Sequence, residues 1–177
     1  MKIKKTKLDG CIIIEPEIFG DERGFFLETF HVARYSSVGI DFPFVQDNFS
    51  RSTKGVLRGL HFQEKNPQGK LVRVVNGEAL DVAVDIRLGS PTFSQWESII
   101  LSGENKKQFW IPPGFAHGFL VLSDSVDFEY KCTDYYKPED EKTILWNDPT
   151  LNIRWNVDYP KLSSRDAKAK TLKEIFG

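Results

Sequence analysis

One short stretch of the chain combines the residue types that proton-transfer chemistry needs. The run Leu57-Arg58-Gly59-Leu60-His61-Phe62-Gln63 places a histidine three residues after an arginine, and Lys70 follows nearby. Imidazole exchanges a proton near neutral pH, and the two cations could bind an anionic substrate and stabilise a developing negative charge. The stretch therefore predicts acid–base chemistry on an anionic substrate.

The same stretch argues against a metal centre. Metal sites in small β-barrels use a His-x-His pair followed by a carboxylate, and Gln63 stands where the second histidine would be. The chain has only three histidines, which are His31, His61 and His117. We therefore expect neither a metal nor another cofactor.

Length and charge fit a single domain without a nucleic-acid or membrane partner. The 177 residues, 40% of them hydrophobic, can form one core, and a formal net charge of −1 gives no general attraction to nucleic acid or to a membrane. The apolar run after the basic start is too short for a signal peptide, and no segment reaches transmembrane length. Two cysteines are too few for a disulfide framework, which favours a reducing compartment. We expect one domain over residues 1–177, in the cytoplasm.

Short strands separated by turns dominate the hydrophobic pattern. Strands are predicted at residues 12–14, 25–30, 71–75, 79–87, 96–101, 108–111, 118–122, 126–131 and 143–146, and a short helix at residues 32–38. Asn76-Gly77 predicts a tight hairpin between two of these strands. Alternation in residues 79–87 predicts one core face and one polar face, the latter including Asp81 and Asp85.

This pattern predicts a mainly β fold, a jelly-roll barrel or sandwich with a C-terminal helix at about residues 163–177. Ser163 could cap that helix, and Asp166 lies three residues further on. In a jelly roll, alternate side chains enter the interior, so polar residues there can line a pocket. Pro112-Pro113-Gly114 predicts a tight turn that brings His117 to the mouth of the barrel.

An ordered series of motifs over nearly the whole chain resembles one enzyme family. The blocks are residues 21–26 (DERGFF), 46–50 (QDNFS), 57–63 (LRGLHFQ), 77–87 (GEALDVAVDIR), 111–119 (IPPGFAHGF), 130–136 (YKCTDYY) and 162–166 (LSSRD). In this order and spacing, the sequence resembles the dTDP-4-dehydrorhamnose 3,5-epimerases, which are dimeric, metal-independent enzymes with a cupin-like jelly roll.

The resemblance implies a reaction and the residues that carry it out. The family's substrate is a nucleotide-linked 4-keto-6-deoxy sugar, which loses and regains protons at C3 and C5 through an enolate, as a step of dTDP-L-rhamnose biosynthesis. By resemblance, His61 is the base, Asp166 orients it, Lys70 holds the C4 oxygen and Tyr130 returns the proton on the opposite face. Cys132, beside Tyr130 in the sequence, is expected to face the other way.

The resemblance also implies a set of substrate-binding residues. Guanidinium groups suit a diphosphate, and the arginines considered are Arg23, Arg58, Arg73 and Arg165. The family pattern selects Arg23, Glu28, Gln46, Asn48, Arg58, Lys70, His117, Glu141 and Arg165, with Phe19, Phe26 and Tyr136 as aromatic candidates for stacking on the base. The partners implied are a dTDP-sugar and a second copy of the chain, whose N-terminal region would complete the neighbouring site.

Several other functions stay open at this level. A metal-dependent cupin would share the fold but lacks ligands here. An epimerase acting at C3 or C5 alone, or a 3,4-ketoisomerase on a related nucleotide sugar, would share much of the site, although a ketoisomerase would not need Tyr130 as an acid. A non-catalytic sugar-binding module would have no reason to combine His61, Asp166, Lys70 and Tyr130.

Overall fold

The computed structural model describes all 177 residues and contains thirteen β-strands and three short helices. The strands are β1 (Lys2–Lys5), β2 (Ile12–Glu15), β3 (Ile18–Asp21), β4 (Gly24–Leu27), β5 (Gln46–Thr53), β6 (Leu57–Gln63), β7 (Lys70–Asn76), β8 (Glu78–Asp85), β9 (Trp96–Ser102), β10 (Gln108–Ile111), β11 (Phe115–Val121), β12 (Ser125–Cys132) and β13 (Glu141–Thr143). The helices are α1 (Val32–Ser36), α2 (Ser164–Ala167) and α3 (Leu172–Phe176). With five residues in the longest, no helix could cross a membrane.

Two antiparallel sheets face each other, which confirms the mainly β jelly-roll prediction. The six-stranded sheet has the order β1-β2-β10-β7-β12-β5, and the five-stranded sheet has the order β13-β6-β11-β8-β9. The third sheet is a separate hairpin of β3 and β4. The predicted strands do not include β1, β3 or the polar strand β5, because none of these three shows a hydrophobic alternation.

The core has three parts, which correspond to the faces of the two sheets. The part between the sheets includes Val72, Phe109 and Phe128 from one sheet and Ala83 and Phe119 from the other. The outer face of the five-stranded sheet packs against the C-terminal segment, and the outer face of the six-stranded sheet packs against the α1 region. Both sheets are therefore covered on the outside, and the space between them is where a pocket can form.

The hairpin predicted at Asn76-Gly77 is wrong. Strand β7 pairs with β10 and β12, whereas β8 pairs with β11 and β9, so the chain passes from one sheet to the other at this corner. Gly77 has φ of 81°, and a Cβ there would collide with the carbonyl oxygen of Ser125. A sheet-to-sheet corner and a hairpin turn both need a residue with positive φ, and the glycine of the Asn-Gly pair can supply it in either.

The polar face expected for residues 79–87 does not face solvent. Asp81 and Asp85 are both fully buried, because their face of β8 points into the space between the sheets. The alternate residues Val82 and Val84 pack on the outside against the C-terminal segment. The predicted alternation is present in β8, but both of its faces are buried.

The C-terminal helix predicted over residues 163–177 is two short helices. Ser163 caps α2 as predicted, since its hydroxyl accepts a hydrogen bond from the amide of Asp166. The helix ends at Ala167, and the chain then forms a β-bridge from Lys170 to Ile144. Thr171 and Glu174 make a capping box that starts α3 as a new helix.

Candidate active site

A cavity of about 330 Å³ opens between the two sheets. Strands of both sheets contribute to it, together with the loop after β12. The residues predicted for the site that line it are Gln46, Asn48, Arg58, His61, Lys70, His117, Tyr130, Tyr136 and Glu141. The structure thus brings together most of the predicted site from six different strands.

His61 and Asp166 form a hydrogen-bonded pair at the edge of this cavity. The distance between Nε2 of His61 and Oδ1 of Asp166 is 2.6 Å, and the carboxylate is buried. Because Nε2 is engaged as the donor, Nδ1 is the nitrogen left to take up a proton. The backbone of Asp166 is fixed in the first turn of α2, since its amide donates a hydrogen bond to the hydroxyl of Ser163. An imidazole held in this way is suited to act as a base.

Tyr130 and Lys70 lie on the opposite wall from His61. Both belong to the six-stranded sheet, whereas His61 belongs to β6 of the five-stranded sheet. Burial raises the pKa of Tyr130 to about 12, so the phenol keeps its proton over the ordinary pH range. A proton acceptor and a proton donor therefore face the same cavity from two sides.

Lys70 places an ammonium group in the cavity that makes no salt bridge. Burial lowers the pKa of the Lys70 ammonium below its ordinary value, while the nearby Cys132 and Asp81 act in the opposite direction. An ammonium without a carboxylate partner is suited to bind an oxygen that becomes anionic.

Polar side chains of β5 and β6 line one end of the cavity. The side chains of Gln46 and Asn48 are hydrogen-bonded at 3.0 Å, and Gln46 also accepts the amide of Tyr136 at 2.8 Å. Arg58 donates to the hydroxyl of Ser52 at 3.1 Å, and no carboxylate neutralises it. Its guanidinium is therefore available to an anionic ligand.

Arg165, Glu141 and Tyr136 form a network at the mouth. Arg165 makes a salt bridge to Glu141, which also accepts the hydroxyl of Tyr136 at 3.0 Å. Arg165 lines an adjoining cleft that shares Arg58, His61 and Tyr136 with the first cavity. The network therefore borders both spaces.

Sequence reasoning missed other residues that line the cavity, which are Ser50, Gln68, Gly118 and Phe119. Ser50 was detectable, because it continues the i, i+2 series of Gln46 and Asn48 on one strand. Gln68 lies in the loop before β7, where no periodicity applies.

Two placements differ from the expectations. His117 is the third residue of β11, not part of the preceding turn, and stands opposite His61 in the strand pairing. Cys132 shares a face of β12 with Tyr130, since the two are two positions apart on one strand; the prediction that it faces away is wrong. Its sulfur accepts a hydrogen bond from Asn48 at 3.5 Å.

Four predicted binding residues line neither the cavity nor the adjoining cleft of their own chain. Phe19, Arg23 and Phe26 belong to the β3–β4 hairpin, and Glu28 follows it. Arg23 pairs with Asp21, and Glu28 pairs with Arg34 at 2.6 Å. Another arginine considered, Arg73, does not line the cavity either and bonds Glu129 at 2.7 Å.

No group of three or more His, Cys, Asp or Glu side chains is arranged to hold a metal ion.

Comparison with known proteins gives a consistent result. Residues 5–174 match the family model described as dTDP-4-dehydrorhamnose 3,5-epimerase. The enzyme of that name from Methanothermobacter thermautotrophicus is 54% identical over 173 residues, covering 96% of this chain and 94% of the relative.

Solved structures agree with the sequence comparison. The dTDP-6-deoxy-D-glucose-3,5-epimerase of Legionella pneumophila, in complex with dTDP-4-keto-L-rhamnose, is 62% identical with a TM-score of 0.96, covering 98% of this chain and 94% of that one. A 3'-monoepimerase from Streptomyces bikiniensis, in complex with dTDP-quinovose, is 38% identical with a TM-score of 0.88. The match covers 95% of this chain and 86% of that one.

Proposed function

The chain belongs to the dTDP-4-dehydrorhamnose 3,5-epimerase family, and we propose that His61 and Tyr130 carry out the two proton transfers of that reaction. The protein is an isomerase. It converts dTDP-4-dehydro-6-deoxy-D-glucose to dTDP-4-dehydro-L-rhamnose, a step of dTDP-L-rhamnose biosynthesis.

The chemistry requires a base and an acid on opposite faces of a sugar ring. The C4 carbonyl acidifies the hydrogens on C3 and C5, so removal of either gives an enolate. Inversion follows when a proton returns from the other face. The observation that carries the assignment is that His61 and Tyr130 face one cavity from two different sheets.

Each step of the epimerisation can be assigned to a side chain of the cavity. Nδ1 of His61 removes the proton while Asp166 stabilises the imidazolium that forms. The ammonium of Lys70 stabilises the enolate oxygen at C4. Tyr130 donates its phenolic proton to the opposite face of the carbon, and exchange with solvent resets both groups. These steps are redox-neutral and use only proton transfers.

Substrate binding uses the charged and polar rim. The diphosphate would bind to Arg58 and Arg165. For this, Arg165 would leave its salt bridge with Glu141 and bind phosphate oxygens instead. Gln46, Asn48 and His117 offer further hydrogen bonds, and Tyr136 offers an aromatic face for the base. A second copy of the chain would contribute further residues to the site, which are Arg23, Glu28, Phe19 and Phe26.

Proton NMR in deuterated water tests this function directly. With dTDP-4-dehydro-6-deoxy-D-glucose as substrate, signals of both H3 and H5 should disappear, and the product should show both centres inverted. Exchange and inversion confined to C3 would instead assign this chain to the activity of the Streptomyces bikiniensis 3'-monoepimerase, whose fold it shares. No exchange at either carbon would contradict the assignment of His61.

A further inference from the structure

Gln63 is the last residue of β6 and stands where a metal-binding barrel would have its second histidine, and the steps above give it no role. Its side chain is buried, and it lies two positions after His61 on the same face of the strand. It does not line the cavity. A buried amide needs hydrogen-bond partners for its polar atoms, because leaving them unpaired is costly.

The side-chain amide of Gln63 finds these partners on two loops. Nε2 donates to the carbonyl oxygen of Asn66 at 2.7 Å and to that of Tyr135 at 3.2 Å. Oε1 accepts a hydrogen bond from the backbone amide of Lys137 at 2.8 Å. The last two partners directly precede and directly follow Tyr136 in the chain. Gln63 therefore fixes the backbone on both sides of Tyr136, and we call these two bonds the clamp.

Packing alone does not hold Tyr136 in place. This residue is 45% exposed, and Tyr135 before it is 61% exposed. The other hydrogen bonds of Tyr136 reach Gln46, from its backbone amide, and Glu141, from its hydroxyl. Gln46 belongs to β5 and Glu141 to β13, so the clamp is the contact that joins Tyr136 to β6.

A second buried side chain holds the same two loops together. The carboxylate of Asp140 accepts a hydrogen bond from the backbone amide of Asn66 at 2.8 Å. Nζ of Lys137 also donates to Oδ1 of Asn66, at 2.6 Å. The loop after β6 is thus attached to the loop after β12 independently of Gln63. Loss of the clamp should therefore loosen Tyr136 locally while the two loops stay associated.

We propose that Gln63 is a positioning residue for nucleotide binding, whose clamp holds the ring of Tyr136 at the mouth of the cavity. Tyr136 lines both the cavity and the adjoining cleft, so its position decides what the mouth can bind. A planar base stacks more favourably on a ring that is already oriented, because binding then costs less ordering of the loop. That this ring receives the base of a nucleotide rests on the proposed function. The clamp itself does not.

Gln63→Met tests the proposal, since it keeps a side chain of similar length but removes all three hydrogen bonds. Titration calorimetry with dTDP should show an affinity weaker by on the order of tenfold, within the range that base stacking on an aromatic ring contributes. KM for the dTDP-sugar should rise by a similar factor. The change in kcat should be smaller, because His61 and Tyr130 lie within strands and keep their positions. Wild-type affinity and KM in folded Gln63→Met would overturn the proposal.

A double-mutant cycle with Tyr136→Leu distinguishes positioning of this ring from a general structural role. Tyr136→Leu alone should also weaken dTDP binding, because it removes the ring. If Gln63 acts through that ring, adding Gln63→Met to Tyr136→Leu should cause little further loss of affinity. Losses that add fully would show that Gln63 acts by another route and would overturn the proposal.

Asp85→Asn is the matched control for the loss of a buried polar contact. Asp85 is fully buried and fixes a different loop by accepting hydrogen bonds from Arg87, Ser90 and Thr92. That loop contributes no residue to the cavity or to the cleft. The variant should lose stability while it keeps the dTDP affinity and KM of the wild type. An equal loss of affinity in Asp85→Asn and Gln63→Met would contradict a specific role for the clamp.

Hydrogen exchange of the wild-type protein, followed by NMR, tests the clamp without a ligand and without a variant that must fold. The amide of Lys137 donates to Gln63, so it should exchange much more slowly than the amide of the exposed Glu139. Equally rapid exchange at both positions would show that the clamp does not form and would overturn the proposal. Failure of the wild-type protein to bind dTDP would instead contradict the proposed function, so the two failures are distinguishable.

Discussion

His61 depends on a chain of contacts that begins at a helix terminus. Ser163 holds the amide of Asp166, and Asp166 holds Nε2 of His61, so the imidazole has one defined orientation in the cavity wall. A base fixed in this way needs no rearrangement before proton transfer. Removing the imidazole should therefore affect turnover much more than binding.

His61→Ala should abolish exchange at both C3 and C5, since one imidazole can reach neighbouring positions of one ring. We expect turnover to fall by at least the roughly 10²–10⁴-fold typical of a general base. Calorimetry with dTDP should give nearly unchanged affinity, because the phosphate and base contacts remain. Asp166→Asn, which keeps the imidazole, should cost less. Near-normal turnover by His61→Ala would exclude this residue as the base.

Tyr130→Phe should separate deprotonation from inversion. It removes only the hydroxyl, so His61 can still remove a proton and return one from solvent to the same face. Deuterium incorporation should therefore continue while inversion falls much more steeply, above all at C5, which has no neighbouring hydroxyl to relay a proton. Both rates can be read from one NMR time course in deuterated water. An equal fall in both rates would assign Tyr130 to binding or deprotonation instead.

At the scale of elements, the sheet-to-sheet corner at Gly77 is the feature most sensitive to a single change. Gly77→Ala adds a Cβ both in a left-handed conformation and against the backbone of Ser125. Gly89 has φ of 83° with nothing near the added atom, so Gly89→Ala carries only the conformational cost, about 1–2 kcal/mol. Gly77→Ala should lower the free energy of unfolding by clearly more than Gly89→Ala in urea titrations. Equal losses would mean that the corner relaxes at little cost.

The sequence predicted the type and place of most strands but not their sheets. Local alternation is a property of one strand, whereas the separation of β7 from β8 depends on which distant strands they pair with. The same limit applies to the site. His61 and Asp166 lie 105 positions apart, and Gln63 and Lys137 lie 74 apart, so no spacing could have revealed either contact. Motif resemblance supplied the first contact, and only the folded structure supplied the second.

At the scale of the whole molecule, the β3–β4 hairpin stands apart from both main sheets. Its aromatic side chains Phe19, Phe25 and Phe26 are more than half exposed. Apolar exposure of this kind, on a hairpin that pairs with no other strand, favours contact with another protein surface. The predicted binding residues Arg23 and Glu28 lie in or beside the same hairpin, away from the cavity of their own chain. Both facts are explained if the hairpin covers the cavity of a second copy.

We therefore expect a dimer whose two sites are each built from both copies, in the isologous arrangement common to homodimers. Light scattering at micromolar concentration should give the dimer mass, and a monomer would contradict the prediction.

Mixing two inactive variants then tests whether each site combines residues from both copies. His61→Ala supplies an intact Arg23, and Arg23→Ala supplies an intact His61, so a mixed dimer contains one complete site. Unfolding and refolding the two together should restore up to about a quarter of wild-type activity, because half of the dimers are mixed and each has one working site. Refolding each variant alone is the control and should restore none. If Arg23 instead serves its own chain, the mixture should stay inactive, because no site would then combine both residues.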